Sequence, residues 1–310
     1  MPVLSSEPET LSQPWSLTEI PVKPAFIDFV GTLFYLRFPK VSSISPRRII
    51  AMAGPSTDLL LNLGSPFVLE TFYDSVQVDT GSCLAGPRPA TSFIRHEGEL
   101  LVLGARFRHG AAASLLPYPV KELEQRVIPL NSIWPEVARV LASAGTRNSP
   151  PQELIGTMET ALAALLSNAR KPDPMIRKAV RLMAEHQGDL EISALATELG
   201  VSRQTVKHKF DQHIGVSPKL FAKLRRFQTV LGRLSNGNKT NWTDLAKETG
   251  YYDQAHLTRE FNHFTGFSPQ KFVKNLEKGE DLYLFDNADQ TRYYLDLRQD
   301  ALESRAAKAR

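Results

Sequence analysis

Two short segments of this 310-residue chain gather side chains able to read base edges in duplex DNA. Arg203, Gln204, Lys207 and His208 fall within six positions, and Gln254, Ala255, Thr258 and Arg259 fall within another six. Arg and Lys can donate to the guanine acceptors, Gln can pair with adenine, and Ala and the Thr methyl can pack on thymine methyl groups. A helix presenting such residues near its N-terminal half suits the major groove.

Those side chains need a frame, and an internal repeat supplies it. Gly215-Val216-Ser217-Pro218-Lys219-Leu220-Phe221 returns as Gly266-Phe267-Ser268-Pro269-Gln270-Lys271-Phe272, at an offset of 51. Leu195-Ala196 and Gly200 return as Leu245-Ala246 and Gly250, at an offset of 50. Each copy has the pattern helix, Gly turn, second helix, Gly-x-Ser-Pro corner, which is a helix-turn-helix. In the first copy Ser193 is expected to cap a helix over Ala194–Leu199, and Ser202 a second over Arg203–His213. Val206, Phe210 and Ile214 should face inward. In the second copy Thr243 is expected to cap Asp244–Thr249, with a further helix from Asp253 to Phe264. The copies are not identical: Gly200 to Phe210 spans 10 positions and Gly250 to Phe261 spans 11. Their reading faces also differ, so the expected target is directional rather than palindromic.

Between the copies, Ser217 is expected to cap a long helix starting at Pro218 and ending at Ser235-Asn236-Gly237-Asn238. Leu220, Leu224, Phe227, Leu231 and Leu234 make one apolar seam that could brace both copies. Lys219, Lys223, Arg225 and Arg226 are assigned to phosphate contacts, which position a protein without specifying sequence. Charge agrees with this. Residues 171–277 hold 17 Lys and Arg against 11 Asp and Glu, a balance of +6. Residues 1–170 (14 against 15) and 278–310 (6 against 7) each balance at −1. A local excess of this kind fits double-stranded DNA as partner.

The expected division is an N-terminal arm (1–25), a β-rich sensor or dimerisation domain with C-terminal helices (26–170), a linker at Lys171-Pro172-Asp173-Pro174, the DNA-binding module (175–274) and a tail (275–310). The fold class is α+β: a β-rich domain, cupin-like or sandwich, with helices, followed by an all-α tandem helix-turn-helix domain. Short β-leaning runs at 33–36, 59–63, 68–72, 100–103 and 105–107 support the first part. Short helices are expected near 111–117 and 120–126, and clear helical periods at 133–144 and 152–166. In the last of these, Leu154, Met158, Leu162 and Leu165 form one stripe. It can pack on the β domain or serve as a dimer helix; both uses are open.

Residues 175–274 resemble the DNA-binding domain of AraC/XylS-type transcription regulators. The resemblance rests on Leu195-Ala196, Gly200-Val201-Ser202, Phe210, Gly215-Val216-Ser217-Pro218, Leu245-Ala246, Gly250-Tyr251, Asp253-Gln254, His256-Leu257, Arg259, Phe261 and Gly266-Phe267-Ser268-Pro269. It implies two recognition helices in successive major grooves, activation of transcription, and RNA polymerase as a partner. It also implies an N-terminal domain that senses a small-molecule effector or forms a homodimer. The family's groove-facing positions fall on Gln204, Lys207 and His208, and on Gln254, Ala255, Thr258 and Arg259. Tyr252 stands where the family often has Ser, which removes a helix cap. More weakly, Asp58–Leu63, Gly104-x-Arg106-Phe107 and Pro119–Leu123 resemble a sensor-like domain of such regulators, with His109 in place of an expected Pro before Gly110. No ligand follows from it; Phe34, Tyr35, Phe72 and Tyr73 are candidate pocket aromatics.

Three rival readings compete with this one. A metal-dependent cupin enzyme needs several converging His residues, yet only His96 and His109 precede residue 170. An alkyl-accepting cysteine needs an activated thiolate, and Cys83, the one cysteine, has no His nearby in sequence. The third rival is a regulator without ligand, whose N-terminal domain only dimerises or binds a protein partner. No enzyme, metal or cofactor is therefore expected. Neither a secretory signal nor an apolar run of membrane-spanning length is present, so a cytoplasmic location without membrane contact is expected.

Overall fold

A computed structural model describes residues 16–38, 48–71, 74–144, 147–234, 241–278, 281–284 and 294–295. Its strands are β1 (Ser16–Ile20), β2 (Val30–Phe38), β3 (Arg48–Ala51), β4 (Asp58–Asn62), β5 (Phe67–Glu70), β6 (Ser75–Val78), β7 (Gly81–Ala85), β8 (Ser92–His96), β9 (Leu100–Phe107), β10 (Val127–Pro129), β11 (Asp281–Leu284) and β12 (Tyr294–Leu295). The helices are α1 (Pro135–Ala142), α2 (Pro151–Leu166), α3 (Pro174–Glu185), α4 (Ile192–Leu199), α5 (Arg203–His213), α6 (Pro218–Leu234), α7 (Trp242–Glu248), α8 (Gln254–Thr265) and α9 (Pro269–Lys278). The fold is α+β as expected, a β sandwich followed by helices.

One sheet runs β1-β2-β9-β4-β7-β10, the other β12-β11-β3-β8-β5-β6. Strand alternation explains the layering. On β4, Leu59 and Leu61 face helices α1 and α2, whereas Leu60 faces the second sheet. The first sheet is thus buried on both sides, and every residue of β4 and β9 is buried. The second sheet is also shared: Ile49, Phe67 and Leu69 face the first sheet, while Ile50 and Phe93 pack with α6, α8 and α9. The order of layers is α1 and α2, first sheet, second sheet, second helix-turn-helix copy.

Several expectations change. The run expected as two strands at 100–107 is one strand, β9. The 111–117 and 120–126 segments form only single 3-10 turns, Ala112–Ser114 and Val120–Leu123. The arm expected over residues 1–25 contains β1, which pairs antiparallel with β2. The tail expected after residue 274 contains the end of α9 and then β11, which pairs in parallel with β3. The proposed dimer stripe is a correction too: Leu154, Met158 and Leu162 are fully buried beneath the first sheet, and Leu165 packs beside them. Its apolar face is already covered within the chain.

Candidate nucleic-acid interface

Helices α5 and α8, which carry the candidate reading residues, are held by ordinary helix chemistry, with the caps partly shifted. The hydroxyl of Ser202 accepts from the Thr205 N–H at 3.0 Å and starts α5 as expected. Ser217 caps α6 by accepting from the Leu220 N–H at 3.2 Å. The first helix of copy one begins at Ile192, ahead of Ser193. The first helix of copy two is capped by Asn241, which accepts from Thr243 N–H at 3.0 Å, rather than by Thr243. The loss of a cap at Tyr252 is repaired one residue later: the Asp253 carboxylate accepts from the His256 N–H at 2.6 Å. Gly200 and Gly250 turn the chain at φ of 69° and 75°. The expected end of the long helix, residues 235–238, lies outside the described residues.

On α5, Val206 and Phe210 are fully buried, which turns Arg203, Gln204, Lys207 and His208 to the exposed side. On α8, Leu257, Phe261 and Phe264 are buried. Gln254, Ala255 and Arg259 are exposed there, and Thr258 is half-buried. Gln254 accepts from the Thr243 hydroxyl at 3.3 Å, a contact between the two helices of the second copy. Tyr252, immediately before α8, is 91% exposed. Burial inverts around these helices, so each presents one polar strip and buries the other.

The phosphate set needs correction. Lys219 is exposed, at the first turn of α6. Lys223 instead reaches Glu260, at 2.6 Å, beneath the second recognition helix. Arg226 lies 3.7 Å from the same carboxylate and 3.9 Å from Asp189. It also donates to the Gly250 carbonyl at 3.3 Å and covers the Tyr251 ring. Arg225 is buried and donates to Gln228 at 3.1 Å. A basic helix with such partners is an internal brace, not a phosphate rail. Glu260 is the residue that sequence reasoning missed: it occupies an i, i+4 position to His256, 3.8 Å away, and its burial could be inferred only from the three-dimensional packing. Burial, and then Glu260, push the Tyr251 phenol up.

Asp173, expected as linker, is both a cap and a clasp. It accepts from the Met175 and Ile176 N–H groups at 2.8 and 3.1 Å. Its other oxygen meets Lys209 of α5 at 2.6 Å, with His213 at 3.6 Å. Burial pushes this carboxyl up, but Lys209 and the Ile176 N–H outweigh it and hold it below the usual range. Burial also holds the His213 imidazole below its usual value, against the opposing pull of Asp173.

Both copies touch the sandwich. Gly215, at φ 86°, lies where an added Cβ would stand 2.9 Å from Val120 and 3.0 Å from Pro87, so a side chain there would push the first copy off. His109 is buried edge-on against Phe221 of α6, ring centroids 5.2 Å apart. Cys83 is buried, and its thiol is pushed up to about 12, chiefly by that burial. Such a thiol stays protonated and is a poor nucleophile. Of the candidate aromatics, Phe34 lines the space between the sheets and Tyr35 faces the helices; Phe72 and Tyr73 lie outside the described residues. No helix among the described residues is long and apolar enough to cross a membrane.

A family model described as a helix-turn-helix domain matches residues 195–275. This segment is an AraC-type helix-turn-helix domain. The chain is 29% identical over 97 residues to an uncharacterised HTH-type transcriptional regulator of Haemophilus influenzae; the match covers 31% of this chain and 32% of that one. The chain thus spans about a third of that relative's length. Among solved structures it is similar to ToxT from Vibrio cholerae, at 10% identity and TM-score 0.45 over 78% of this chain and 97% of that one. It is also similar to the C-terminal domain of AraT from Geobacillus stearothermophilus, at 22% identity and TM-score 0.32 over 33% and 86% of the two chains.

Proposed function

We propose that the chain is a sequence-specific transcription regulator that reads double-stranded DNA with two unlike recognition helices in successive major-groove segments. The observation that carries this reading is the paired inversion of burial on α5 and α8. Each helix buries its aromatic and aliphatic side and leaves donors and acceptors outward. Arg203, Gln204, Lys207 and His208 belong to the first reading set; Gln254, Ala255, Thr258 and Arg259 belong to the second. Lys219 is retained as a phosphate contact.

In this reading the regulator is an activator that engages RNA polymerase, and the sandwich receives a small-molecule effector. The coupling would run through the second sheet, whose outer side is part of the second copy's core. A homodimer remains compatible, on a surface other than the stripe of α2. The protein is read as acting in the cytoplasm.

The test is selection of bound sequences from a random duplex pool by the purified full chain. The expected product is one directional motif with two dissimilar halves about one helical turn apart, roughly 34 Å. A palindromic motif, or no enrichment at all, would defeat the proposal.

A further inference from the structure

A cavity of about 60 Å3 lies between the two sheets. Its walls are chiefly apolar, with Phe34, Leu60, Phe67, Ile94 and Leu100 among them, and it carries three charged groups. Two of these cancel. Arg106 donates to Asp58 from Nε and Nη2, both at 2.7 Å, in a side-on pair that is almost wholly buried. The third, Arg88, has a buried Nε with no hydrogen-bond partner among the described residues. The charged lining therefore sums to +1: Arg88 and Arg106 against Asp58.

Arg88 is held in place by its backbone. Its N–H donates to Gly54 at 2.9 Å, and the Gly54 N–H donates back at 2.8 Å. It also borders a smaller adjoining cavity of about 20 Å3. That space is lined by Ser92, whose buried hydroxyl likewise has no partner among the described residues. The carboxylate there, Asp74, is exposed and accepts from the Ser75 N–H at 2.7 Å. A buried guanidinium Nε left unpaired favours an anion, and a carboxylate can meet it together with a neighbouring Nη.

We propose that this cavity binds a short-chain monocarboxylate, its carboxylate on Arg88 and its alkyl body among Phe34, Leu60 and Leu100. The Arg106–Asp58 pair shows, in the same cavity, the side-on geometry that Arg88 would complete with the ligand. The apolar walls select against inorganic anions, which have no body to bury. The volume limits the body to about two to four carbons, well below the ~150 Å3 that holds a benzene ring. This inference rests on the reading of the sandwich as the effector-receiving part. Bound acid would press on Ala51, Met52 and Leu284, which line the cavity from β3 and its end and from β11. Met52 belongs at once to the core of the second copy.

The test is calorimetric titration of the full chain with butyrate, propionate and the uncharged butyramide, with sodium nitrate as an inorganic control. Butyrate is expected to bind at least tenfold more tightly than butyramide, and Arg88→Gln to lose at least tenfold of that affinity. Leu60→Phe, which fills the cavity and leaves the cation, should abolish it, and it decides the matter if Arg88→Gln does not fold. Equal binding of acid and amide, nitrate binding as tight as butyrate, or undiminished binding by Leu60→Phe would overturn the proposal. Duplex-pool selection with and without butyrate separates the two readings. A failure to bind DNA in both, with acid binding intact, defeats the regulator, and DNA selection without any acid binding defeats only the ligand.

Discussion

The two helix-turn-helix copies share a skeleton and differ in what completes it. The first copy closes its core with a helix of its own, since Ile176, Ala179 and Met183 of α3 pack on Leu195, Val206, Phe210 and Phe221. In the second copy α6 stands where α3 stands in the first, and a strand of the sandwich adds to its core. Ile50, Met52 and Ala53, with Phe93 beside them, join α6, α8 and α9 in one cluster. The first copy meets the sandwich's loops, through Gly215, the turn Val120–Leu123 and the buried His109–Phe221 contact; the second copy shares a core with a sheet. The second copy is therefore tied to the sandwich by a shared core, and the first by contacts with the sandwich's loops.

The largest effect expected from breaking this arrangement is at Glu260. It is buried under α8 with Lys223 at 2.6 Å and Arg226 at 3.7 Å. Glu260→Ala leaves those cations without their partner, which costs about 3–5 kcal/mol for buried pairs. Urea denaturation of the full chain measures it. A loss under about 1 kcal/mol would mean that solvent screens the pair and that α8 is held by its aromatic core alone.

Next is the shared sheet. Ile50 is 1% exposed and belongs to the second copy's core. Ile50→Ala should cost about 2–5 kcal/mol through lost burial and a residual cavity. Amide exchange should then speed up in α8 before α5. Equal acceleration in both helices would show the copies to be one cooperative unit and erase the contrast drawn above.

How much of this was legible beforehand follows the same division. The tandem helices, the Ser202 and Ser217 caps and the seam of α6 depend on local pattern, and the residues themselves announce them. Strands at β2, β4, β5 and β9 were visible as apolar runs because a sheet buried on both faces needs side chains such as Leu33 and Leu60 on each side. The parallel pairing of β11 with β3 joins residues more than two hundred positions apart, and no local signal announces it. The same holds for Lys223, Arg225 and Arg226: a basic stretch on a helix looks solvated until a buried carboxylate from another helix is placed under it. The reading faces of α5 and α8 came from inward apolar spacing, a periodic signal, and Arg203 and Arg259 stand exposed where that spacing put them.

The reading heads themselves should show a smaller effect. Arg259→Ala is expected to weaken specific binding by about 1–3 kcal/mol and to relax one base position in the second half of the motif. Unchanged specificity would remove Arg259 from the reading set and transfer attention to Gln254 and the exposed Tyr252.

Acid should act on the first copy. The His213 imidazole is held below its usual value, so folding favours the neutral ring. Its contribution is present above the unfolded pKa of about 6.5 and declines as pH falls toward the folded value. The Asp173 carboxyl is held low, so its clasp on Lys209 persists until pH falls below about 4. Between pH 7 and 5, α5 should lose exchange protection, and His213→Gln should flatten that change. An unaltered profile in His213→Gln would place the sensitive group elsewhere.

The smallest effect separates two lysines four positions apart on α6. Lys219 is exposed and is the phosphate contact proposed from the basic set; Lys223 is engaged with Glu260. Lys219→Ala should weaken binding to all sequences alike and reduce the slope of log K against log salt by about one. Lys223→Ala should leave that slope unchanged and lower stability, because it exposes the Glu260 charge rather than a phosphate. If Lys223→Ala flattened the salt dependence as much as Lys219→Ala, its ammonium would have to leave Glu260 on binding DNA. The brace under the second reading head would then be released by DNA itself, and the tie between that head and the sandwich would hold only in the free protein.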